Sequence, residues 1–205
     1  MDDENRKYAL ERFLEVTAEH KMEILLDNGT GLYRHLKFTK NGSSIYRFDI
    51  HTWPGFLCIC GDMGTYVFQR VLDMFTFFRS VDSELRINPR YWAEKCQAAG
   101  REGIEEYVPE MFMKRINEWM DENEFSYGAK IAVSNVLPSY SDDGEHEAIR
   151  AAMDFKYEGK YLFPDFYEVK LRDWTHHYLW CCYAIVWGIQ QYDSDPKTHT
   201  VEGVE

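Results

Sequence analysis

The sequence predicts an α+β protein: a four-stranded antiparallel meander covered by helices, followed by a helical, acidic carboxy-terminal half. Three observations carry that prediction. Between residues 32 and 68 apolar and polar side chains alternate with the two-residue period of half-buried strands, and glycine-bearing turns punctuate them. On either side of this stretch apolar residues recur at three- and four-residue spacing, the period of a helix. The formal charge of −12 is also uneven, with 14 Asp/Glu against 13 Lys/Arg in residues 1–100 but 21 against 10 in residues 101–205.

Taken in order, residues 2–20 place Leu10, Phe13, Leu14 and Thr17 on one helical face, and the acidic opening Asp2-Asp3-Glu4 suits the positive end of the dipole. Residues 22–26 fit either a short strand or the last turn of that helix, and Asn28-Gly29-Thr30-Gly31 makes a turn. In residues 32–39, Leu32, Arg34, Leu36 and Phe38 share one face, with Tyr33, His35, Lys37 and Thr39 on the other. Asn41-Gly42 is a hairpin signal. A second strand follows over 44–51, alternating Tyr46, Phe48 and Ile50 against Ile45, Arg47, Asp49 and His51. Pro54 breaks it, and strands over 55–60 and 65–68 flank the turn Gly61-Asp62-Met63-Gly64.

Helical spacing resumes at Leu72, Phe75, Phe78 and Arg79. Asn88 with Pro89 is an N-cap followed by proline at the first helical position, opening a helix that Gly100 stops after Ala99. Residues 107–120 carry an apolar stripe of Phe112, Ile116, Trp119 and Met120. Further helices are expected over 127–136 and from Ser141 to Phe155, with an irregular aromatic segment over 157–164. Residues 171–192 are apolar nearly all round, as in a helix packed on several sides. The expected organisation is one α+β domain over 1–193, its sheet centred on 32–69 and its helical part on 70–193, with a flexible polar tail over 194–205.

Bulk properties exclude several classes. No apolar run reaches the roughly 20 residues a membrane span needs. The acidic balance repels DNA, so direct DNA binding is not expected. Five cysteines, an odd number, and the absence of a signal-peptide pattern at Met1-Asp2-Asp3-Glu4 point to a reducing cytoplasm. Cys58 and Cys60 place both thiols on one strand face, but tetrahedral zinc needs two further ligands, and nearby only His51 and Asp62 are candidates, so no metal or cofactor is expected. Gly61-Asp62-Met63-Gly64 lacks the spacing of a phosphate loop, and no catalytic motif is present. His176 or His177 with Asp173 offers a conceivable general base, and adjacent helical residues point in different directions.

What remains is a concentration of arginine and aromatic side chains. Arg34, His35, Arg47, His51, Trp53, Tyr66 and Arg70 lie on the sheet, with Tyr33 and Tyr46 beside them, and Trp174, His177 and Tyr178 lie on the final helix. Stacking surfaces combined with guanidinium forks suit nucleobases and phosphates if the polar sheet face meets that helix.

The segments Gly31-Leu32-Tyr33-Arg34-His35-Leu36, Thr52-Trp53-Pro54-Gly55, Gly61 to Phe68, Asp73 to Arg79 and Ile87 to Trp92 resemble an uncharacterised family carried by tailed bacteriophages and prophages. Trp180-Cys181-Cys182-Tyr183-Ala184 resembles its carboxy-terminal part. The resemblance implies a phage accessory protein in the cytoplasm of a bacterial host, a setting in which anti-defence roles are common. The expected function is therefore a non-catalytic binder that sequesters a nucleotide-like host immune signal. Two alternatives are an acidic protein that covers the basic surface of a host nucleic-acid-binding defence protein, and an enzyme of unrecognised type using His177 or His51 with a carboxylate. A homo-oligomer fits any of these readings.

Overall fold

The computed structural model describes residues 2–80 and 84–196, so the tail expected over 194–205 lies, from residue 197 onward, outside the described residues. In chain order the elements are α1 (Asp2–Thr17), β1 (Lys21–Asp27), β2 (Arg34–Thr39), β3 (Phe48–Trp53), β4 (Phe56–Gly61) and β5 (Gly64–Gln69). Then come α2 (Met74–Phe78), α3 (Pro89–Ala93), β6 (Cys96–Ala99), β7 (Glu105–Tyr107), α4 (Pro109–Glu122), α5 (Tyr127–Val136) and α6 (Glu145–Asp154). The last are β8 (Lys156–Tyr157), β9 (Lys160–Tyr161), β10 (Arg172–Trp174) and α7 (His176–Ser194). The fold class is α+β, and the chain divides into two compact units, Met1–Ile104 with Trp174–Glu205, and Glu105–Asp173.

The first unit is built on a six-stranded antiparallel sheet in the order β1-β2-β3-β4-β5-β6, which corrects the expected four strands. β1 joins the edge of β2 with a register shift between Ile24 and Leu26, so Met22 and Ile24 still face inward. At the other edge, the helix expected to reach Ala99 stops at Ala93. The chain from Cys96 to Ala99 instead pairs with Tyr66, Val67 and Phe68, satisfying backbone groups that β5 would otherwise expose.

One sheet face is covered by α7, whose side chains from Tyr178 to Val186 are all buried. An all-round apolar helix requires partners on two sides, and α1 supplies the second. Phe13 of α1 meets the Trp180 ring edge-on at 5.1 Å, and Trp180 meets Phe48 of β3 at 5.5 Å, so one contact chain runs from outer helix to inner helix to sheet. On α1 the buried positions are Ala9, Phe13 and Thr17, whereas Leu14, expected on that face, is exposed. The approach of α7 to the sheet is close enough that a Cβ on Gly188 would stand 2.7 Å from the Ile50 side chain. The final helix begins at His176 rather than residue 171, because the Thr175 hydroxyl accepts from the Tyr178 N–H and caps it.

Between β2 and β3 the chain is not a tight hairpin. Residues 40–47 form a loop, and Tyr46, expected to be in a strand, sits at φ +54°. The Asp62 carboxylate holds this conformation by accepting from the Tyr46 N–H at 2.8 Å.

The second unit packs α4, α5 and α6 around Phe112, Ile116, Val133, Phe163 and Phe166. Its aromatic segment, expected to be irregular, contains the two-residue hairpin β8–β9, where Glu158 and Gly159 both take positive φ. Residues 105–173 carry 16 Asp/Glu against 8 Lys/Arg, a net of −8 out of the whole chain's −12.

Candidate functional site

The sheet's two faces separate the residues expected to form one pocket. Arg34, Tyr66 and Tyr178 are buried on the α7 side. Arg34 donates to Asp73 at 2.9 Å and lies 4.1 Å over the Phe75 ring, while the Tyr66 and Tyr178 hydroxyls donate to the carbonyls of Gly103 and Pro89. These are core roles. His35, His51 and Trp53 project from the opposite, outer face, Arg47 joins it through its pair with Asp49, and Arg70 is exposed beyond the end of β5. Trp174 packs against Tyr178 at the start of α7, next to half-buried His177. The polar sheet face and the final helix therefore do not meet: α7 occupies the apolar face, because apolar burial outweighs any gain from bringing the helix against charged side chains.

The outer face gathers four of the expected residues, His35, Arg47, His51 and Trp53, with three that enter through strand pairing. The ladder places His35 beside His51 and His51 beside Cys58, and in the next row Asp49 beside Cys60. The two imidazoles lie 4.0 Å apart. Burial, then the nearby His35 and against the pull of Asp49, lowers the His51 pKa below 6.5. Asp49 is 5% exposed; one oxygen accepts from Arg47 at 2.5 Å, and Oδ1 makes no hydrogen bond but lies 3.7 Å from His35 Nε2. The Cys58 thiol donates to Cys60, which brings Cys60 down to about 7 and pushes Cys58 up.

A groove of about 710 Å³ lies between α1 and the 40–47 loop, within the range of small-molecule pockets. Arg12, Glu15, Val16 and His20 line one wall, and Lys40, Asn41, Gly42, Ser43, Ile45 and Tyr46 the other. His20 is 9% exposed, and its Nε2 lies 3.1 Å from the Tyr46 carbonyl, which accepts. Burial lowers its pKa, opposed by the Tyr46 carbonyl and helped by Lys40, so the ring is neutral at pH 7. With Nε2 donating, Nδ1 is an acceptor, and it has no hydrogen-bond partner.

Around it, Arg12 pairs with Glu15 at 2.6 Å and donates to the Tyr46 hydroxyl at 3.3 Å, and Lys40 pairs with Glu19 at 2.7 Å. Both ion pairs are exposed, and such pairs are worth only about 0–1 kcal/mol, so little is lost when another anion takes the carboxylate's place. The Tyr46 ring stacks toward Trp180 at 6.4 Å, and a non-glycine residue at positive φ stores strain of the kind that gathers at binding sites.

His20 and Lys40 carry no motif, and Tyr46 reads as a strand residue. The one signal in the sequence is Asn41-Gly42, which marks a turn but not its length. Among the described residues no group of three or more His, Cys, Asp and Glu side chains is placed to hold a metal ion, and no helix is long and apolar enough to cross a membrane. The chain matches no family model, no curated protein and no solved structure.

Proposed function

We propose that this chain is a non-catalytic binding protein that sequesters a small nucleotide-like ligand in the groove between α1 and the 40–47 loop. The observation that carries the reading is His20: a buried, neutral imidazole whose Nδ1 acceptor is unpartnered, beside Arg12 and Lys40. A buried polar atom without a partner costs about 1–3 kcal/mol, which a ligand that supplies the partner recovers. That ligand must offer an anionic group for the two cations, a flat surface for Tyr46 and, because Nδ1 itself has no exposed surface, a hydroxyl or ring N–H donor that reaches it as the 40–47 loop shifts. A nucleotide has all three. The resemblance to a phage-borne family supports a setting in the host cytoplasm, where such a binder would withdraw a nucleotide immune signal.

A second reading, an acidic protein that covers a basic surface on a host defence protein, is favoured by the net charge of −8 in residues 105–173. Its affinity would fall steeply with salt, because exposed charges are screened beyond about 10 Å at 0.1 M.

Native mass spectrometry of the chain purified from a bacterial host tests both. A stoichiometric nucleotide-like mass that disappears in Arg12→Ala and in His20→Phe supports the groove. A basic host protein that stays bound at low salt and leaves at high salt supports the second reading. A bare chain whose melting temperature no nucleotide raises would remove the first.

A further inference from the structure

The sheet face opposite α7 carries two stacked ring pairs on neighbouring strands. Trp53 of β3 lies 5.3 Å from Phe56 of β4 with their planes 13° apart, and His35 of β2 lies 4.0 Å from His51 of β3 at 30°. His51 and Trp53 are two residues apart on β3, so the two pairs share one face, about 6.6 Å or two strand rises from one another. We propose that this face binds single-stranded nucleic acid, its bases stacking on the rings and its phosphates lying on the arginine and lysine side chains around them. The site uses none of the groove's lining residues and stands apart from that reading.

The rings are open to a ligand. Trp53 is 37% exposed, and beside the pairs Tyr33, just before β2, and Leu26, the cross-strand neighbour of His35, are 44% and 51% exposed. His35, His51 and Phe56 are half-buried. An exposed apolar patch with a polar rim marks an interaction site. Every base has a π-face, which a single strand presents and a duplex hides in its own stack, so rings of this kind select single strands and tolerate their sequence.

Charge points to the same ligand. Lys21, Lys37 and Arg47 stand on or beside this face against Glu23 and Asp49, and the Arg70 N–H donates to the Gly55 carbonyl in the turn between Trp53 and Phe56, which places a further cation next to that ring pair. Asp49 is buried and already accepts from Arg47 at 2.5 Å. Glu23 pairs with Lys37 at 3.5 Å from an exposed side chain, so a phosphate takes its place on Lys37 at little cost.

The acidic balance of the whole chain does not oppose this placement. Of the net −12, −8 belongs to residues 105–173, and the cations named above outnumber the acids on this face. Phosphate contacts position a nucleic acid and carry no sequence information. Two ring pairs and a few cations therefore define a short, sequence-tolerant site of a few nucleotides.

The test follows the fluorescence anisotropy of labelled oligothymidylate and oligouridylate, each of about 12 nucleotides, as the full-length chain is added. Both should bind more tightly than a duplex of the same length, the tighter of the two telling DNA from RNA, and affinity should fall about 20-fold between about 50 and 200 mM salt, as three phosphate contacts give. Trp53→Ala should weaken binding about tenfold at an unchanged salt slope, Arg70→Gln should make the slope shallower, and Lys160→Gln, on β9, should change neither. A wild type that binds neither strand at about 50 mM salt, or prefers the duplex, overturns the site. Dimers that Trp53→Ala dissociates, with no strand bound, would make the face a protein contact and overturn it too. Loss in Arg12→Ala with Trp53→Ala unaffected would place the strand in the groove instead. Should Trp53→Ala not fold, photocrosslinking of a bromouracil-substituted strand to the wild type reads the same face: adducts in the peptide that carries His51, Trp53 and Phe56 support the site, and adducts confined to other peptides contradict it.

Discussion

The Arg34 guanidinium and the Asp73 carboxylate form a two-pronged ion pair, at 2.9 and 3.5 Å, that ties β2 to the first turn of α2 from a side chain only 4% exposed. Phe75 lies 4.1 Å from the guanidinium carbon and Tyr192 5.3 Å. Asp73 also caps α2 by accepting from the Phe75 N–H at 3.1 Å. Removing the carboxylate leaves a buried charge without its partner, so Asp73→Ala should lower stability by about 3–5 kcal/mol. The double variant Arg34→Met with Asp73→Asn should recover most of it, because no buried charge remains. Urea denaturation of the three chains checks both, and a loss below about 1 kcal/mol in Asp73→Ala would refute the role assigned to the pair.

Gly61 closes β4 where β3 begins. A Cβ there would stand 2.1 Å from the Arg47 carbonyl oxygen and 2.7 Å from the Phe48 Cα, both backbone atoms that cannot move without opening the sheet. Gly42 also has positive φ, +76°, but nothing lies within 4 Å of its Cβ position. Gly42→Ala should therefore cost about 1 kcal/mol of backbone strain, whereas Gly61→Ala should fail to fold or lose several times as much. Equal thermal shifts for the two variants would contradict the close approach.

These two cases show what strand parity does and does not convey. Alternation in residues 32–39 already assigns Arg34 to the face of Leu36 and Phe38 and His35 to the other, and the structure keeps that assignment. What composition could not supply is which face a helix covers, so arginines and aromatics from both faces fell into one expected pocket. The central strands were readable because both faces alternate. The edges were not: Leu25 and Leu26 interrupt the period at the bulge in β1, and Cys96-Gln97-Ala98-Ala99 has no β-branched residue and is a strand only because β5 offers it an edge. The groove was hidden for another reason. Nothing in its sequence neighbours marks Tyr46 as a loop residue at positive φ, and the Asp62 contact that sets it comes from 16 residues away.

Stability should depend on pH through three histidines that the fold shields from water, His20 buried and His51 and His176 half-buried. His20, His51 and His176 all have pKa values lowered from 6.5, in each case chiefly by burial. A histidine of lowered folded pKa takes up its proton more readily in the unfolded chain, so unfolding binds protons and stability rises with pH. The contribution is fully present above 6.5 and is lost as the pH falls through 6.5 toward the folded values. Urea midpoints measured from pH 8 to about pH 5 should decline below that point, and His20→Phe should make the decline shallower. A flat profile in the wild type would show that these rings are not held neutral by the fold.

Thiol reactivity should single out Cys60. Cys181 and Cys182 are 1% and 0% exposed, and burial raises both. Cys96 is half-buried and is also raised by burial, and Cys58 is raised because its proton is engaged with Cys60. Only Cys60 is lowered, to about 7, through the hydrogen bond from Cys58 and, more weakly, the charge of Arg47. The nucleophile is the thiolate, so brief iodoacetamide treatment of the native chain at neutral pH should label Cys60 first, with a rate that reaches half its maximum near pH 7. Cys58→Ser replaces the thiol donor by a hydroxyl and should keep most of that reactivity; Cys58→Ala removes the donor and should shift the half-maximum upward toward 9, the ordinary thiol value. Peptide mapping by mass spectrometry gives the order of labelling. If Cys96 reacts before Cys60, or if Cys58→Ala leaves the profile unchanged, the hydrogen bond between the two thiols is not what sets their acidity.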